Sequence, residues 1–150
     1  MLIGIAPCIT PELLAVLHRM GHGDEIVLAD AFFPGESCNP RTLRADGIRV
    51  AELLDGVLAL INPDGHDPAP FLMMQPVPGD PLDPGVEREY RTVIDRRWPA
   101  SPPIARLERF AFYERARRAF AVVMTGETAP YGNLIVKKGV IPAAPGGRPV

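Results

Sequence analysis

Proline constrains this chain most: 18 of its 150 residues are proline. Each proline holds φ near −65° and lacks a backbone donor, so helix interiors and central strands must lie between prolines. Seven of them fall from Pro63 to Pro84. That spacing excludes a helix there and leaves Phe71-Leu72-Met73-Met74 as a short apolar strand. Two prolines instead head helices: Thr10-Pro11-Glu12 and Asp83-Pro84 each place a capping side chain before a proline at the first helical position. Three more prolines and two glycines fall within residues 142–150. We therefore expect a single domain over 1–141 and a flexible Pro/Gly-rich tail over 142–150.

Between these breaks the apolar residues are periodic. Leu13, Leu14, Leu17 and Met20 recur at helical spacing, and Gly21 is placed to end that helix. Glu25-Ile26-Val27-Leu28-Ala29 then reads as a buried strand with Asp30 at its carboxyl end. Residues 31–47 read as loop. Leu53, Leu54, Val57, Leu58 and Ile61 share one face of a helix over 50–61. Val86, Tyr90, Val93 and Ile94 form the stripe of the helix after Asp83, with Glu87 and Arg91 spaced for an i,i+4 ion pair, and Trp98-Pro99 stops it. The longest proline-free stretch runs from Ile104 to Ala129. It reads as a short strand, a helix over 112–118 and a strand over 120–124. A last strand over 133–136 follows the Tyr131-Gly132 turn. Strands alternating with helices predict an α/β fold: a single-domain layered α/β/α sandwich with a mixed, mostly parallel central sheet.

Composition narrows function by exclusion. A net charge of −2 offers no electrostatic reason to bind nucleic acid or an anionic membrane. No apolar run approaches the roughly 18–20 residues of a membrane span. Met1-Leu2-Ile3-Gly4 lacks the basic segment of a signal peptide, and two cysteines are too few for a disulfide scaffold. A cytoplasmic, reduced protein is expected. Gly-x-Gly-x-x-Gly, Walker, Gly-x-Ser-x-Gly and paired-cysteine motifs are all absent.

Few residues remain that can do chemistry. His22 sits between Gly21 and Gly23, whose backbone freedom lets an imidazole project into a cleft and exchange protons near neutral pH. On spacing alone it reads rather as a polar residue of a helix-capping turn. His18 and His22 have the spacing of a helical zinc pair, with Asp24 and Asp30 as further candidate ligands. Gly21 is expected to break the shared face, and no third ligand has a recognisable spacing, so no metal site is expected. Asp30 ends a strand, where α/β sheets bind ligands, or it is a turn residue. Arg109, among Phe110, Phe112 and Tyr113, either holds a hydroxyl-rich ligand or pairs with Glu108 or Glu114 on the surface. Tyr131-Gly132-Asn133 is a turn by composition, and it also gathers a phenol, an accessible backbone and a carboxamide.

Taken in order, these segments resemble the sugar mutarotase family of fucose mutarotase and ribose pyranase, and within it the L-fucose mutarotase branch. The matching pieces begin with Thr10-Pro11-Glu12-Leu13-Leu14, Met20-Gly21-His22-Gly23-Asp24-Glu25-Ile26 and Ala29-Asp30-Ala31-Phe32-Phe33-Pro34. Arg44-Ala45-Asp46-Gly47 and the run from Arg109-Phe110-Ala111-Phe112 to Tyr113-Glu114-Arg115-Ala116 follow. Thr125-Gly126-Glu127, Tyr131-Gly132-Asn133 and Lys137-Lys138-Gly139-Val140 complete a series that covers about residues 1–141. Each motif alone is weak, whereas their ordered series is specific. Arginine at 109 fits the fucose branch better than the ribose branch, which has histidine near there.

The resemblance implies a cofactor-free isomerase that interconverts the α and β anomers of an unphosphorylated sugar. It implies His22 as proton donor, with Asp30, Arg109, Tyr131, Gly132 and Asn133 holding sugar hydroxyls. The second proton carrier is left open among a tyrosine, a carboxylate and water. The resemblance also implies a ring-like homo-oligomer, a decamer or octamer, with sites near subunit contacts. Pro130, the loop Gly65-His66-Asp67 and the tail depart from the pattern, and none is expected to touch the site. Two alternatives stand beside this reading: a ribose pyranase that shifts ring forms by the same opening, and a sugar-binding module without catalysis. A metal hydrolase using His18, His22 and Asp24 is the remote one.

Overall fold

The computed structural model describes residues 2–141; the tail expected over 142–150 lies outside the described residues. In chain order the elements are α1 (Pro11–Arg19), β1 (Glu25–Ala29), α2 (Gly35–Cys38), β2 (Thr42–Ala45), α3 (Val50–Leu58), β3 (Phe71–Met74), α4 (Pro84–Arg97), β4 (Ala105–Leu107), α5 (Arg109–Arg118), β5 (Ala121–Thr125) and β6 (Leu134–Lys137). Six strands form one sheet in the order β2-β5-β1-β6-β3-β4. β2–β5, β5–β1 and β3–β4 are parallel, while β6 runs antiparallel to both β1 and β3. The sheet is mixed and mostly parallel, as expected.

Alternation along the strands separates two cores. Ile26 and Leu28 face one side with Phe71, Met73, Ala121, Val123, Leu134 and Val136, against Leu13, Leu17, Leu53, Leu54, Tyr90 and Ile94 of α1, α3 and α4. Val27 and Ala29 face the other with Leu72, Met74, Val122, Met124 and Ile135, against Phe33 and the α5 residues Phe112 and Ala116. Helices on both faces bury every residue of β3 and β5, so these strands read as continuous apolar runs. The layers are α/β/α.

Both proline-headed helices form where the caps place them. Thr10 accepts from the Leu13 amide and Asp83 from the Gly85 amide. Five local expectations differ, the first being that α3 ends at Leu58 rather than at residue 61. α1 ends at Met20 in extended backbone, and the left-handed residue of the turn is Gly23 at φ +85°, not Gly21. Residues 31–47 hold α2 and the edge strand β2, whose partly exposed residues carry no apolar alternation. α5 begins at Arg109 because the Glu108 carboxylate accepts from the Phe110 and Ala111 amides. Glu87 does not pair with Arg91: Arg91 pairs with Asp95 at 2.5 Å, and Glu87 reaches across to Arg106.

Candidate functional site

Topology brings the candidate site together. β5 and β6 follow one another in sequence, yet β1 lies between them in the sheet. Their connection, residues 126–133, must therefore cross the carboxyl end of β1, where Asp30 stands. Asp30 is 4% exposed, and its amide donates to Asn133 Oδ1 at 2.8 Å. Asn133 Nδ2 donates back to Asp30 Oδ2 at 2.8 Å, and the Phe32 amide donates to Oδ1 at 3.0 Å. Burial pushes the Asp30 carboxyl up from its ordinary range, and these hydrogen bonds pull against that shift.

The crossing loop is tightly held. Tyr131 adopts φ +61°, a left-handed conformation uncommon outside glycine. A Cβ on Gly132 would lie 2.9 Å from the Ala129 carbonyl oxygen and 3.0 Å from Glu127 Cγ, so the close approach requires glycine. The buried Tyr90 hydroxyl donates to the Gly132 carbonyl at 2.8 Å. Glu127, itself 2% exposed, accepts from the Ala129 amide at 3.1 Å and pairs with Arg49 at 3.1 Å.

Asp30, Arg109, Tyr131 and Asn133 line one cavity of about 270 Å³, with Phe32, Phe33, Met74, Asp80, Tyr113 and Pro130. It opens at the carboxyl ends of β1 and β3, where α/β sheets bind ligands. Its size suits a monosaccharide, being below the usual range for drug-sized ligands. Gly132, expected with Asp30, Arg109, Tyr131 and Asn133, is not among the lining residues. A larger hollow of about 360 Å³ between Leu2, Ile5, Pro7, Ile9 and Leu14 is walled by apolar side chains and offers no convergent polar groups.

Arg109 makes no ion pair among the described residues. Glu108 caps α5 and Glu114 pairs with Arg117. The Arg109 guanidinium instead lies 5.8 Å from the Tyr113 ring centre and 5.9 Å from that of Phe110. Among the described residues its donors have no hydrogen-bond partner, which leaves them for a ligand. Tyr131 Oη donates to Asp80 Oδ2 and accepts from the Val77 amide at 3.4 Å. The hydrogen bond to Asp80 raises the Tyr131 phenol above its ordinary value.

His22 is elsewhere. It precedes β1, whereas Asp30 follows it; five residues of strand at about 3.3 Å each put roughly 16 Å of sheet between the two ends. His22 Nε2 lies 3.3 Å from Asp64 Oδ2, with the histidine side chain 51% exposed and the aspartate 6%. The His66 amide, donating at 3.0 Å, holds the Asp64 carboxyl below its usual range, helped by His22 and Lys137. His18 is on α1, which ends at Arg19, so the two histidines share no helical face. No group of three or more metal-ligating side chains occurs among the described residues.

Sequence reading missed Asp64 and Asp80 because their roles depend on neighbours 42 and 51 residues away. Asp80 had one usable signal, its place in the loop after an apolar strand. Two departures from the family pattern do bear on these residues: Pro130 lines the cavity, and the loop Gly65-His66-Asp67 supplies the amide that holds Asp64. Prolines and variable loops read as spacers until the fold closes them over a site.

Comparison with known proteins places the chain in a family. The model of the RbsD / FucU transport protein family matches residues 3–141. An L-fucose mutarotase of Actinobacillus pleuropneumoniae serotype 5b (strain L20) is 57% identical over 142 residues, covering 95% of this chain and 99% of the relative. The crystal structure of FucU from Bifidobacterium longum has a TM-score of 0.89 at 41% identity, covering 92% of this chain and 99% of its own. The fucose mutarotase of Streptococcus pneumoniae, solved with L-fucose, has a TM-score of 0.89 at 43% identity, over 94% of this chain and 100% of its own. With nearly its whole described length matched in sequence and in fold, the chain belongs to the RbsD / FucU family.

Proposed function

We propose that the protein is an isomerase that interconverts the α and β anomers of L-fucose. The observation that carries this reading is the cavity shared by Asp30, Arg109, Tyr131 and Asn133. A fork of donors, a phenol and a buried carboxylate–carboxamide pair suit a small ligand covered in hydroxyls. Relatives named L-fucose mutarotase and a neighbour solved with L-fucose support the choice of sugar.

Anomer exchange needs one acid and one base. The acid protonates the ring oxygen as the anomeric hydroxyl loses its proton, the C1–O5 bond breaks, and the open aldehyde turns about C1–C2 before reclosing. We assign the acid to His22, with Asp64 orienting its imidazole. Because His22 lies at the far end of β1, the imidazole comes from a second copy of the chain, docked over the cavity mouth. Phe32, 73% exposed at that mouth, and Phe110, 70% exposed beside it, are aromatic surface for such a copy to cover. The protein is accordingly a homo-oligomer with sites at subunit contacts, and we place it in the cytoplasm. Among the described residues no helix is long and apolar enough to cross a membrane.

The test is exchange NMR on equilibrated L-fucose, following magnetisation transfer between the α and β anomeric protons. Fast transfer is expected with the unaltered protein, and His22→Gln should slow it by about 10²–10⁴-fold, the contribution of one positioned acid–base group. D-ribose run in parallel compares the ribose pyranase reading. Fucose binding without transfer would make the protein a sugar-binding module instead.

A further inference from the structure

We propose that Asp80 is the terminal proton acceptor of this site, working through Tyr131. The inference rests on the reading of the cavity as a sugar site and names the base that reading leaves open. Tyr131 Oη has one proton and two lone pairs. Its proton is directed to Asp80 Oδ2, and one lone pair accepts from the Val77 amide at 3.4 Å. What remains is a single lone pair, so a sugar hydroxyl at this oxygen must donate to it.

The other polar groups of the cavity are less suited to this role. Arg109 carries donors only. The Asp30 oxygens already accept from Phe32 and Asn133, and the carboxylate is 4% exposed. A neutral phenol is a poor base unless it can pass its own proton on. Asp80 is an exposed carboxylate lining the same cavity and hydrogen-bonded to that phenol.

The step balances as a relay. The anomeric O1–H bond breaks and its proton goes to Tyr131 Oη. The phenolic O–H bond breaks and that proton goes to Asp80 Oδ2. The O1 electron pair forms the C1=O double bond, and the C1–O5 pair leaves with O5, which takes a proton from the acid. Tyr131 ends unchanged and Asp80 ends neutral; reclosure on the other face of C1 runs the relay backwards. Asp80 is thus a positioning and proton-storing residue that does not itself touch the sugar.

Chemical rescue distinguishes this role from a structural one. In the same exchange NMR on L-fucose, Asp80→Ala should lower kcat on the order of 10²-fold with KM little changed. Added acetate or formate should restore the rate of Asp80→Ala in proportion to its concentration. It should leave the unaltered protein and Asp80→Asn unaffected, since asparagine fills the space a free carboxylate would need. Unchanged kcat in Asp80→Ala overturns the proposal, as does a loss confined to KM or one that no carboxylate rescues. Absence of transfer by the unaltered protein would instead remove the mutarotase reading itself, and this relay with it.

Discussion

At the scale of single residues, the pair Asp30 and Asn133 shows why this site needs specific side chains. Both are buried, and each completes the other's hydrogen bonds across the end of β1. A carboxamide can donate to the carboxylate while accepting from the Asp30 amide; a second carboxylate cannot donate. Asn133→Asp should therefore set two carboxylates against one another in a dry setting. We expect a stability loss of about 1–3 kcal/mol in urea unfolding, together with loss of fucose binding by calorimetry. Stability unchanged from the native protein would mean that the pair is open to water. Asp30 was legible in the sequence as a strand-end residue and Asn133 as part of a turn. Their partnership spans 103 positions and has no local signature.

At the scale of elements, α1 and α4 were legible because each carries its own start signal and apolar stripe, and α3 by its stripe alone, whereas α2 was not legible. How they dock was not. Asp55 on α3 accepts from Arg97 Nε at 2.7 Å and from Arg96 Nη2 at 2.9 Å, both at the end of α4. Arg97 first, then Arg96, holds the Asp55 carboxyl down to about 2. Because the folded value lies below the unfolded one, the contribution is present above about pH 4 and is lost as pH falls through about 2. The side chain is 32% exposed, so solvent screens the gain. Asp55→Asn should cost about 0.5–1 kcal/mol at neutral pH, with the gap from the native protein closing in acid. A gap that stays constant down to pH ~1.5 would assign the effect to packing.

At the scale of the whole molecule, one chain presents its histidine and the Asp30 cavity at opposite ends of β1. Co-expressing His22→Gln with Arg109→Ala tests whether two copies complete a site. Each variant alone should be inactive. Random mixed assemblies should recover about a quarter of native activity, since sites that join the intact cavity of one copy to the intact histidine of another form with that frequency. Verified mixed assemblies without activity would place both residues in one chain's site and overturn the shared arrangement.

By itself, the sequence determined the starts of α1, α3 and α4, the buried strands and the layered α/β class, because caps, prolines and apolar periodicity act over a few neighbouring residues. It also supplied the ordered motifs by which Asp30, Arg109, Tyr131 and Asn133 were gathered into one expectation, and the described fold brings those four to one cavity. Tertiary structure alone decided that β1 separates β5 from β6, drawing the 126–133 connection over Asp30. It likewise decided that Asp80 faces Tyr131, that Asp64 faces His22, and that a partly exposed run such as Thr42–Ala45 becomes an edge strand. Those outcomes depend on which surfaces meet when distant segments bury apolar area together, and no local pattern encodes that choice.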